Sequence, residues 1–182
     1  MGLTMDNDRF WQLIDQARRL AADPADAGAV ATHATTLLAD HQPAQILQAE
    51  QILWDLMAAS YLAPLWAAAY QINGGCSDDG FDYFRGWLIA QGRATFEQVI
   101  NDPDSLADLP AVKQAAAKGW DLEGEAILPI VWNAYRAATG SEPPADNFTI
   151  RYPELDPEWD FDFGDHERIA RLLPRTAALY PA

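Results

Sequence analysis

One stretch of the sequence, residues 73–89, gathers most of the side chains that could do chemistry. It holds the only cysteine of the 182-residue chain, a double glycine, three aspartates and an arginine. Neighbouring carboxylates can act as general acid and base, and an arginine can hold an anion. The stretch therefore predicts a polar ligand site at one turn. Its candidate residues are Cys76, Ser77, Asp78, Asp79, Asp82 and Arg85.

The spacing of three of these residues also fits a purely structural role. Arg85 follows Asp82 by three positions and Asp78 by seven, so on a helix it can reach either carboxylate. A buried carboxylate must be paired or hydrogen-bonded, because an isolated charge is costly away from water. The sequence leaves two alternatives: an ion pair that holds a central helix in register, or a pocket in which these groups meet a ligand.

The single cysteine also has two interpretations. Cys76 follows two glycines and precedes a predicted helix N-terminus, a setting that lowers the pKa of a thiol. A nucleophilic thiol needs a base, and no histidine lies near it in sequence, although His33 or His41 could lie near it in space. The alternative is a small buried cysteine without a chemical role.

No motif for a metal or a cofactor is complete. The histidines His33, His41 and His166 do not recur at the i,i+3 or i,i+4 spacing of a helical metal site. The run 73–78 could offer backbone N–H groups to an anion, but it lacks the lysine of a nucleotide-binding loop, and its aspartates would repel phosphate. We therefore expect neither a metal nor a cofactor.

Glycines and caps predict the elements that position this stretch. Gly74 and Gly75 follow an apolar helical run, and glycine suits the left-handed conformation that ends many helices. Ser77 or Asp78 can then accept a hydrogen bond from the first turn of the next helix. We expect that helix to cover residues 78–91.

The helix predicted over residues 78–91 should lie at the centre of the fold. Ile89 falls on the side opposite the aromatic rings, which indicates that both sides are covered. Gly86 lies between the two sides, where a glycine costs about 1 kcal/mol relative to alanine, so we expect another backbone to approach it closely. The apolar side consists of Phe81, Phe84, Trp87 and Leu88.

Helical periodicity, caps and prolines along the rest of the chain predict an all-α protein of about eight helices. We expect one helical domain over residues 6–140, followed by an acidic arm and a final helix over residues 141–182. Residues 148–152 are the single candidate for a strand. Besides the central helix, the predicted helices cover residues 7–22, 24–40, 43–57, 65–70, 94–100, 108–119, 122–139 and 165–173, with breaks at Pro64 and near Pro129 and a loop at 101–105.

The C-terminal arm combines prolines with many acidic residues, which only Arg151 balances over residues 141–165. We expect aromatic side chains to pin this extended arm to the helical domain. These side chains are Phe148, Tyr152, Trp159, Phe161 and Phe163. Most of the seven tryptophans are predicted to lie in the core.

The formal net charge of −15, from 27 acidic and 12 basic residues, limits the partners that we expect. Direct binding to nucleic acid or to an anionic membrane depends on lysine and arginine, so neither is expected. No apolar run is long enough to span a bilayer, and the first residues carry no basic or apolar leader, so we expect a cytoplasmic protein. An acidic proteome would explain the charge, and a surface that meets a basic protein or imitates nucleic acid is the alternative.

Three runs of the sequence resemble domain-of-unknown-function family 4240, a set of small bacterial proteins. The runs are Phe10–Ile14, residues 73–89 and Asp102–Leu106, and the similarity covers about Asp6–Gly140. The resemblance implies a bacterial intracellular helical domain and brings no activity or catalytic residue with it. The acidic arm looks like an extension outside the family.

Because no catalytic set is complete, we expect a non-enzymatic binding or regulatory module that docks a protein or a small ligand near the turn between Cys76 and Arg85. The first alternative is an enzyme that uses Asp78, Asp79 or Asp82 as acid or base and Arg85 as an anion clamp. The second alternative is a nucleic-acid mimic or an immunity-like inhibitor, which rests on the charge alone. The sequence does not indicate an oligomeric state.

Overall fold

The computed structural model describes residues 4–181, and every regular element in that range is a helix. The all-α fold class is therefore confirmed, although the described range contains ten α-helices where the sequence predicts about eight. Three short 3-10 helices cover Pro103–Asp108, Glu125–Ile127 and Pro157–Trp159. The α-helices are α1 (Asn7–Leu20), α2 (Ala27–Ala39), α3 (Pro43–Ala59), α4 (Ala63–Ile72), α5 (Asp78–Ala90), α6 (Arg93–Asn101), α7 (Pro110–Lys118), α8 (Ile130–Thr139), α9 (His166–Leu172) and α10 (Pro174–Leu179).

The second helix begins later than the sequence predicts. α2 starts at Ala27 and not at Pro24, because Asp26 is its cap. The Asp26 carboxylate accepts hydrogen bonds from the N–H groups of Gly28 (2.9 Å) and Ala29 (3.1 Å). A carboxylate at this position satisfies N–H groups that have no partner within the first turn. The predicted start of α2 at residue 24 is therefore wrong.

The chain after α6 and the C-terminus also differ from the prediction. Residues 101–105, predicted as a loop, end α6 and begin the 3-10 helix Pro103–Asp108. Proline suits the first position of a helix because its φ angle is already helical and its missing N–H needs no partner there. For the same reason the predicted helix 165–173 ends at Leu172, and Pro174 starts a further helix, α10.

Two prolines separate helices as predicted. Pro64 lies in the first turn of α4, whose axis is bent by 84° from that of α3. Pro129 immediately precedes α8, so this helix begins there and does not kink. The predicted start of this helix at Leu122 is therefore wrong, because the only helical element before Pro129 in that range is the 3-10 helix Glu125–Ile127. No described helix is by itself long and apolar enough to cross a membrane, and α3 with α4 meets that criterion only when the two bent parts are taken together.

The central helix lies within the core, as predicted. The aromatic side of α5 and Ile89 on the other side are buried, and the helix packs against α2, α3 and the 3-10 helix Glu125–Ile127. Arg85 is also buried, with no exposed surface. Ser77 caps the helix by accepting a hydrogen bond from the Gly80 N–H (3.2 Å). Both sides of α5 are therefore covered.

The glycine inside α5 allows two backbones to touch. A Cβ atom on Gly86 would lie 2.5 Å from the carbonyl oxygen of Gly124, and one on Gly124 would lie 2.3 Å from the backbone nitrogen of Trp87. The Gly124 N–H donates a hydrogen bond to the Tyr83 carbonyl oxygen (2.8 Å), which fixes this segment against the helix. The close backbone approach predicted for Gly86 is confirmed.

The arm that follows α8 lies on α3 and α4 in an extended form. The Phe148 ring stacks on Trp54, with 5.6 Å between the ring centres. The Gln51 side chain donates to the Thr149 carbonyl oxygen (3.0 Å) and accepts from the Thr149 N–H (2.8 Å). Residues 148–152 form no strand, because the partner of this backbone is a helix side chain. Aromatic rings hold the arm in place, as predicted.

The tryptophans follow the core prediction only in part. Trp11 and Trp87 are buried, with 2% of their surface exposed. Trp120 and Trp132 are instead 53% and 37% exposed. Trp120 comes directly after Gly119, whose left-handed conformation (φ +65°) ends α7, so its ring is not on the buried face of that helix.

Candidate functional site

Arg85, the basic residue of the predicted site, is buried and donates its hydrogen bonds to oxygen atoms of the protein itself. Arg85 donates from Nε to the Phe81 carbonyl oxygen (3.3 Å) and from Nη1 to the Met57 carbonyl oxygen. Its Nη2 donates to the Asp82 carboxylate, whose side chain is 33% exposed. Met57 lies in the last turn of α3, where carbonyl groups lack helical partners and the helix dipole favours a cation. Arg85 therefore joins the end of α3 to α5.

Three aromatic rings enclose the guanidinium of Arg85. Its Cζ atom lies 5.1, 4.7 and 5.0 Å from the ring centres of Tyr61, Phe81 and Tyr152. Ring faces attract a cation at these distances, and more strongly where water is excluded. Tyr152 belongs to the arm and stacks on Tyr61 at 4.5 Å, so the arm covers this part of α5. The geometry matches the structural ion pair that the spacing of Asp82 and Arg85 allows.

The other predicted site residues lie outside this buried cluster. Asp78 and Asp79 are exposed in the first turn of α5, where their charges face the positive end of the helix dipole. Ser77 is the cap of the same turn. Of the six candidate residues, only Cys76 lines the cavity between α4 and the arm. The structure therefore does not bring the six together in one open pocket.

Cys76 lies in the turn before α5 and is half-buried. Its Sγ atom lies 3.8 Å from the Ser77 carbonyl oxygen. Burial raises the pKa of the thiol to about 12, with a further increase from the Glu123 carboxylate and an opposing effect from Arg85. The thiol is therefore protonated at neutral pH, which agrees with a packing role and not with an activated nucleophile.

A cavity of about 460 Å³ opens beside Cys76, between α4 and the arm. One wall comes from α4 and the turn before α5, and the other comes from residues 155–163 of the arm. We call this cavity the aromatic cleft, because five of its eleven lining residues carry aromatic rings. The lining residues are Ala63, Trp66, Tyr70, Cys76, Leu155, Asp156, Pro157, Trp159, Asp160, Phe161 and Phe163.

The core holds the α4 wall of the aromatic cleft in place. The Trp66 ring stacks on Phe81 of α5 at 4.7 Å, with an angle of 13° between the ring planes. The Nε1–H of Trp66 donates a hydrogen bond to the Cys76 carbonyl oxygen (3.0 Å), which satisfies the one polar group of the indole. Trp66 thus has a fixed orientation and connects the turn before α5 to the cleft.

The arm wall of the cleft contains a row of three rings. Trp159 stacks on Phe161 at 5.9 Å, and Phe161 meets Phe163 edge to face at 5.6 Å. Phe163 meets Tyr70 of α4 edge to face at 6.2 Å, and its carbonyl oxygen accepts a hydrogen bond from the Gln71 side chain (2.7 Å). The last ring of the row therefore fastens the arm to α4.

Sequence patterns alone do not reveal this cleft, although one signal points towards it. Residues 159–163 alternate aromatic and acidic side chains, and the sequence predicts only that the rings hold the arm. The arm meets a helix far away in the chain: Gln71 and Phe163 are 92 positions apart. Such a distant pairing leaves no local pattern, so the second wall of the cleft is known only from the structure.

The comparison with known families agrees with the resemblance in the sequence. A family model described as "Protein of unknown function (DUF4240)" matches residues 5–137. The chain belongs to the DUF4240 family. No curated protein and no solved structure matches the chain. The matched residues stop before the arm, so the aromatic cleft of this DUF4240 protein has one wall inside the matched region and the other outside it.

Proposed function

We propose that this DUF4240 protein is a non-enzymatic binding module whose ligand is a small molecule that enters the aromatic cleft. The observation that carries the proposal is the cleft, a cavity of about 460 Å³ with rings on both walls. Pockets for small ligands commonly have volumes of about 300–1,000 Å³ and apolar linings with a few polar groups. The cleft also lies beside Cys76, at the turn where the sequence predicts a site.

The partial burial of the rings on the arm wall supports a ligand site. Trp159, Phe161 and Phe163 pack against the core, yet each remains only partly buried and also lines the cleft. Apolar ring surface that lines a cleft open to solvent is in contact with water. A ligand in the cleft would pack against the rings and remove that surface from water.

The catalytic alternative has less support from the geometry. It assigns Arg85 to an anionic substrate, yet this guanidinium has no exposed surface and donates to three internal oxygen atoms. Asp78 and Asp79 are exposed and do not line the cleft. The Cys76 thiol does line it, but a pKa of about 12 keeps the thiol protonated. These positions favour binding without chemistry.

A ligand-dependent melting screen of the full chain tests the proposal. Small metabolites, grouped by charge, are added singly, and compounds that raise the melting temperature are titrated. Trp159→Ala removes a ring from the arm wall and should weaken the affinity of each such compound by about tenfold or more. Trp132→Ala is the matched control, because it removes an exposed ring from α8 outside the cleft.

Two results of this screen would contradict the proposal. In the first, no compound raises the melting temperature of the wild-type protein. In the second, Trp159→Ala and Trp132→Ala bind the compounds equally well, which would place the ligand elsewhere. Circular dichroism of both variants shows whether each is folded, so that loss of a site is distinguished from loss of the fold.

A further inference from the structure

We infer that the ligand of the aromatic cleft is a small organic cation that carries an alkylated ammonium group. The inference rests on the proposed function and adds the chemical class of the ligand. Three features of the cleft support it: rings on both walls, two carboxylates, and a lining in which none of the described residues is basic.

The rings provide the surface that such a cation requires. Trp66 and Tyr70 lie on the α4 wall, and Trp159, Phe161 and Phe163 lie on the arm wall. A ring face attracts a cation within about 6 Å of its centre, tryptophan most strongly, and aromatic cages bind quaternary and methylated ammonium groups in this way. The outer surface of an alkylated ammonium group is hydrocarbon, so its burial against rings is also favoured by the hydrophobic effect.

The charged residues of the lining are both acidic. Asp156 and Asp160 lie on the arm wall, and no lysine or arginine of the range 4–181 lines the cleft. The Asp156 carboxylate accepts a hydrogen bond from the Glu158 N–H (2.9 Å). Within the described residues 4–181, the Asp160 side chain is exposed and has no hydrogen bond or ion pair of its own, so it is the carboxylate that can meet a ligand. The net charge of −15 adds a field that attracts cations over a longer range.

Within the described residues, three of the protein's own cations, Arg85, Lys118 and Arg168, lie over aromatic rings. Arg85 is enclosed by three rings and paired with a carboxylate. The Cζ atom of Arg168 lies 3.9 Å from the ring centre of Phe161, which lines the cleft, although Arg168 itself does not. The cleft thus has the same composition as the Arg85 enclosure, rings with a carboxylate, but arranged around an open volume.

The lining also disfavours the other classes of ligand. Calcium and magnesium take about six or more oxygen ligands, whereas the carboxylates of the cleft are those of Asp156 and Asp160. An anion would meet two negative charges, and no basic side chain among the described lining residues would balance its charge. A neutral apolar molecule would cover the rings but would leave the carboxylates without a counter-charge. An organic cation satisfies both the rings and the carboxylates.

Calorimetric titration of the full-length protein with choline and with 3,3-dimethyl-1-butanol isolates the effect of charge. The two probes have the same shape, but 3,3-dimethyl-1-butanol, here called the alcohol, carries a carbon atom in place of the charged nitrogen of choline. At constant ionic strength we expect choline to bind about tenfold more tightly than the alcohol, or better. Equal or tighter binding of the alcohol would overturn the inference, and so would a complete failure of choline to bind.

Asp160→Asn and Glu142→Gln form a matched pair of variants. Each removes one negative charge from an exposed position in the arm, but only Asp160 lines the cleft. We expect Asp160→Asn to weaken choline binding about fivefold without changing the affinity for the alcohol, and Glu142→Gln to change neither. Equal losses of choline affinity in the two variants would mean that net charge alone attracts the cation, which overturns the site.

The results separate this inference from the proposed function. If the melting screen finds cleft ligands that are neutral or anionic, the binding module stands and the cation inference falls. If no compound of any charge binds and Trp159→Ala changes nothing, the proposed function fails and the inference fails with it.

Discussion

Arg85 has no exposed surface, and only some of its partners are evident from the sequence. The spacing allows a pair with Asp82 or with Asp78, and the pair with Asp82 forms. The Met57 carbonyl oxygen and the rings of Tyr61 and Tyr152 come from other segments, so the spacing within one helix cannot indicate them. The ion pair of the candidate site was predictable, whereas the contacts that α3 and the arm make with Arg85 were not.

Replacing Arg85 by alanine should destabilise the protein strongly. The variant would leave the buried Met57 carbonyl oxygen without this donor and Asp82 without its counter-ion. The variant would also leave a cavity where this large, fully buried side chain packs, and truncation of large buried side chains costs about 3–5 kcal/mol. Urea unfolding followed by circular dichroism measures the change in the free energy of unfolding.

Asp82→Asn is the control for the same ion pair. Asparagine keeps an oxygen that can accept from Arg85 Nη2, and the guanidinium keeps its two carbonyl partners and its rings, so we expect a smaller loss of about 1 kcal/mol. If Arg85→Ala cost less than Asp82→Asn, the guanidinium would not be needed for stability. It would then be available for a ligand, as the catalytic alternative requires.

At the scale of elements, the contact between α5 and the segment before α8 depends on two glycines. We expect Gly86→Ala to cost about 1–3 kcal/mol, because its Cβ would lie 2.5 Å from the Gly124 carbonyl oxygen and one backbone would have to move. In Gly80→Ala, a control in the same helix, the new Cβ would meet only side-chain atoms, Ser77 Oγ at 3.3 Å and Cys76 Sγ at 3.7 Å. Equal melting temperatures for the two variants would contradict the close backbone contact.

The last helix depends on a carboxylate from a segment that the sequence predicts as a loop. Asp104, in the 3-10 helix Pro103–Asp108, accepts hydrogen bonds from the N–H groups of Arg175 (3.0 Å) and Thr176 (2.8 Å) at the start of α10. These pairs are 71 and 72 positions apart in the chain. A cap supplied from such a distance has no local sequence signature, so Pro174 is the local signal for the start of α10.

Asp104→Ala should destabilise the protein in a pH-dependent manner. Burial alone would raise the pKa of Asp104, but hydrogen bonds from Thr176 and Arg175 outweigh it and hold the pKa below its ordinary value. The ionised carboxylate therefore adds stability above its ordinary pKa, and this contribution is lost as the pH falls through the lowered pKa. In urea unfolding we expect a loss of about 1–3 kcal/mol at about pH 7, and a smaller loss at about pH 3.

Asp108→Ala is the matched control, because Asp108, like Asp104, pairs with the side chain of Arg175. Its carboxylate lies 2.7 Å from Arg175 Nη1, but its side chain is 55% exposed, and exposed ion pairs contribute about 0–1 kcal/mol. We therefore expect little loss of stability. If both alanine variants lost the same stability, or if the loss in Asp104→Ala did not shrink in acid, the cap would not be the cause.

At the scale of the whole molecule, the sequence predicts the helices better than the contacts between distant segments. The Ser77 cap and the glycines after α4 are local signals, and they suffice to place α5. The arm instead docks through pairs such as Gln51 and Thr149, which are 98 positions apart. Local patterns carry no information on such pairs. The aromatic cleft, which lies between α4 and the arm, was unpredictable for this reason.

The excess of acidic residues should make the stability of the whole molecule depend on salt. With a net charge of −15, repulsion between carboxylates opposes the compact state, and dissolved ions screen it. Between about 20 and about 300 mM sodium chloride we expect the melting temperature to rise by about 3 °C, which corresponds to roughly 1 kcal/mol for a chain of this size. At about pH 5, closer to the isoelectric point of about 4.3, the rise should be smaller. A melting temperature that falls with salt would show that surface ion pairs such as Arg93–Asp8 outweigh the repulsion.

Docking of the arm should be measurable by hydrogen exchange, because the cleft exists only while both walls are in place. Gln51→Ala removes the two hydrogen bonds to Thr149, whose combined loss should speed amide exchange in residues 147–163 by about tenfold. Exchange within α5 should stay unchanged, since the core beneath the arm is intact. Gln98→Ala, an exposed position on α6, controls for the loss of a glutamine. If Gln51→Ala left exchange in the arm unaltered, the aromatic contacts alone would hold the arm, and the second wall of the cleft would not need the hydrogen bonds to α3.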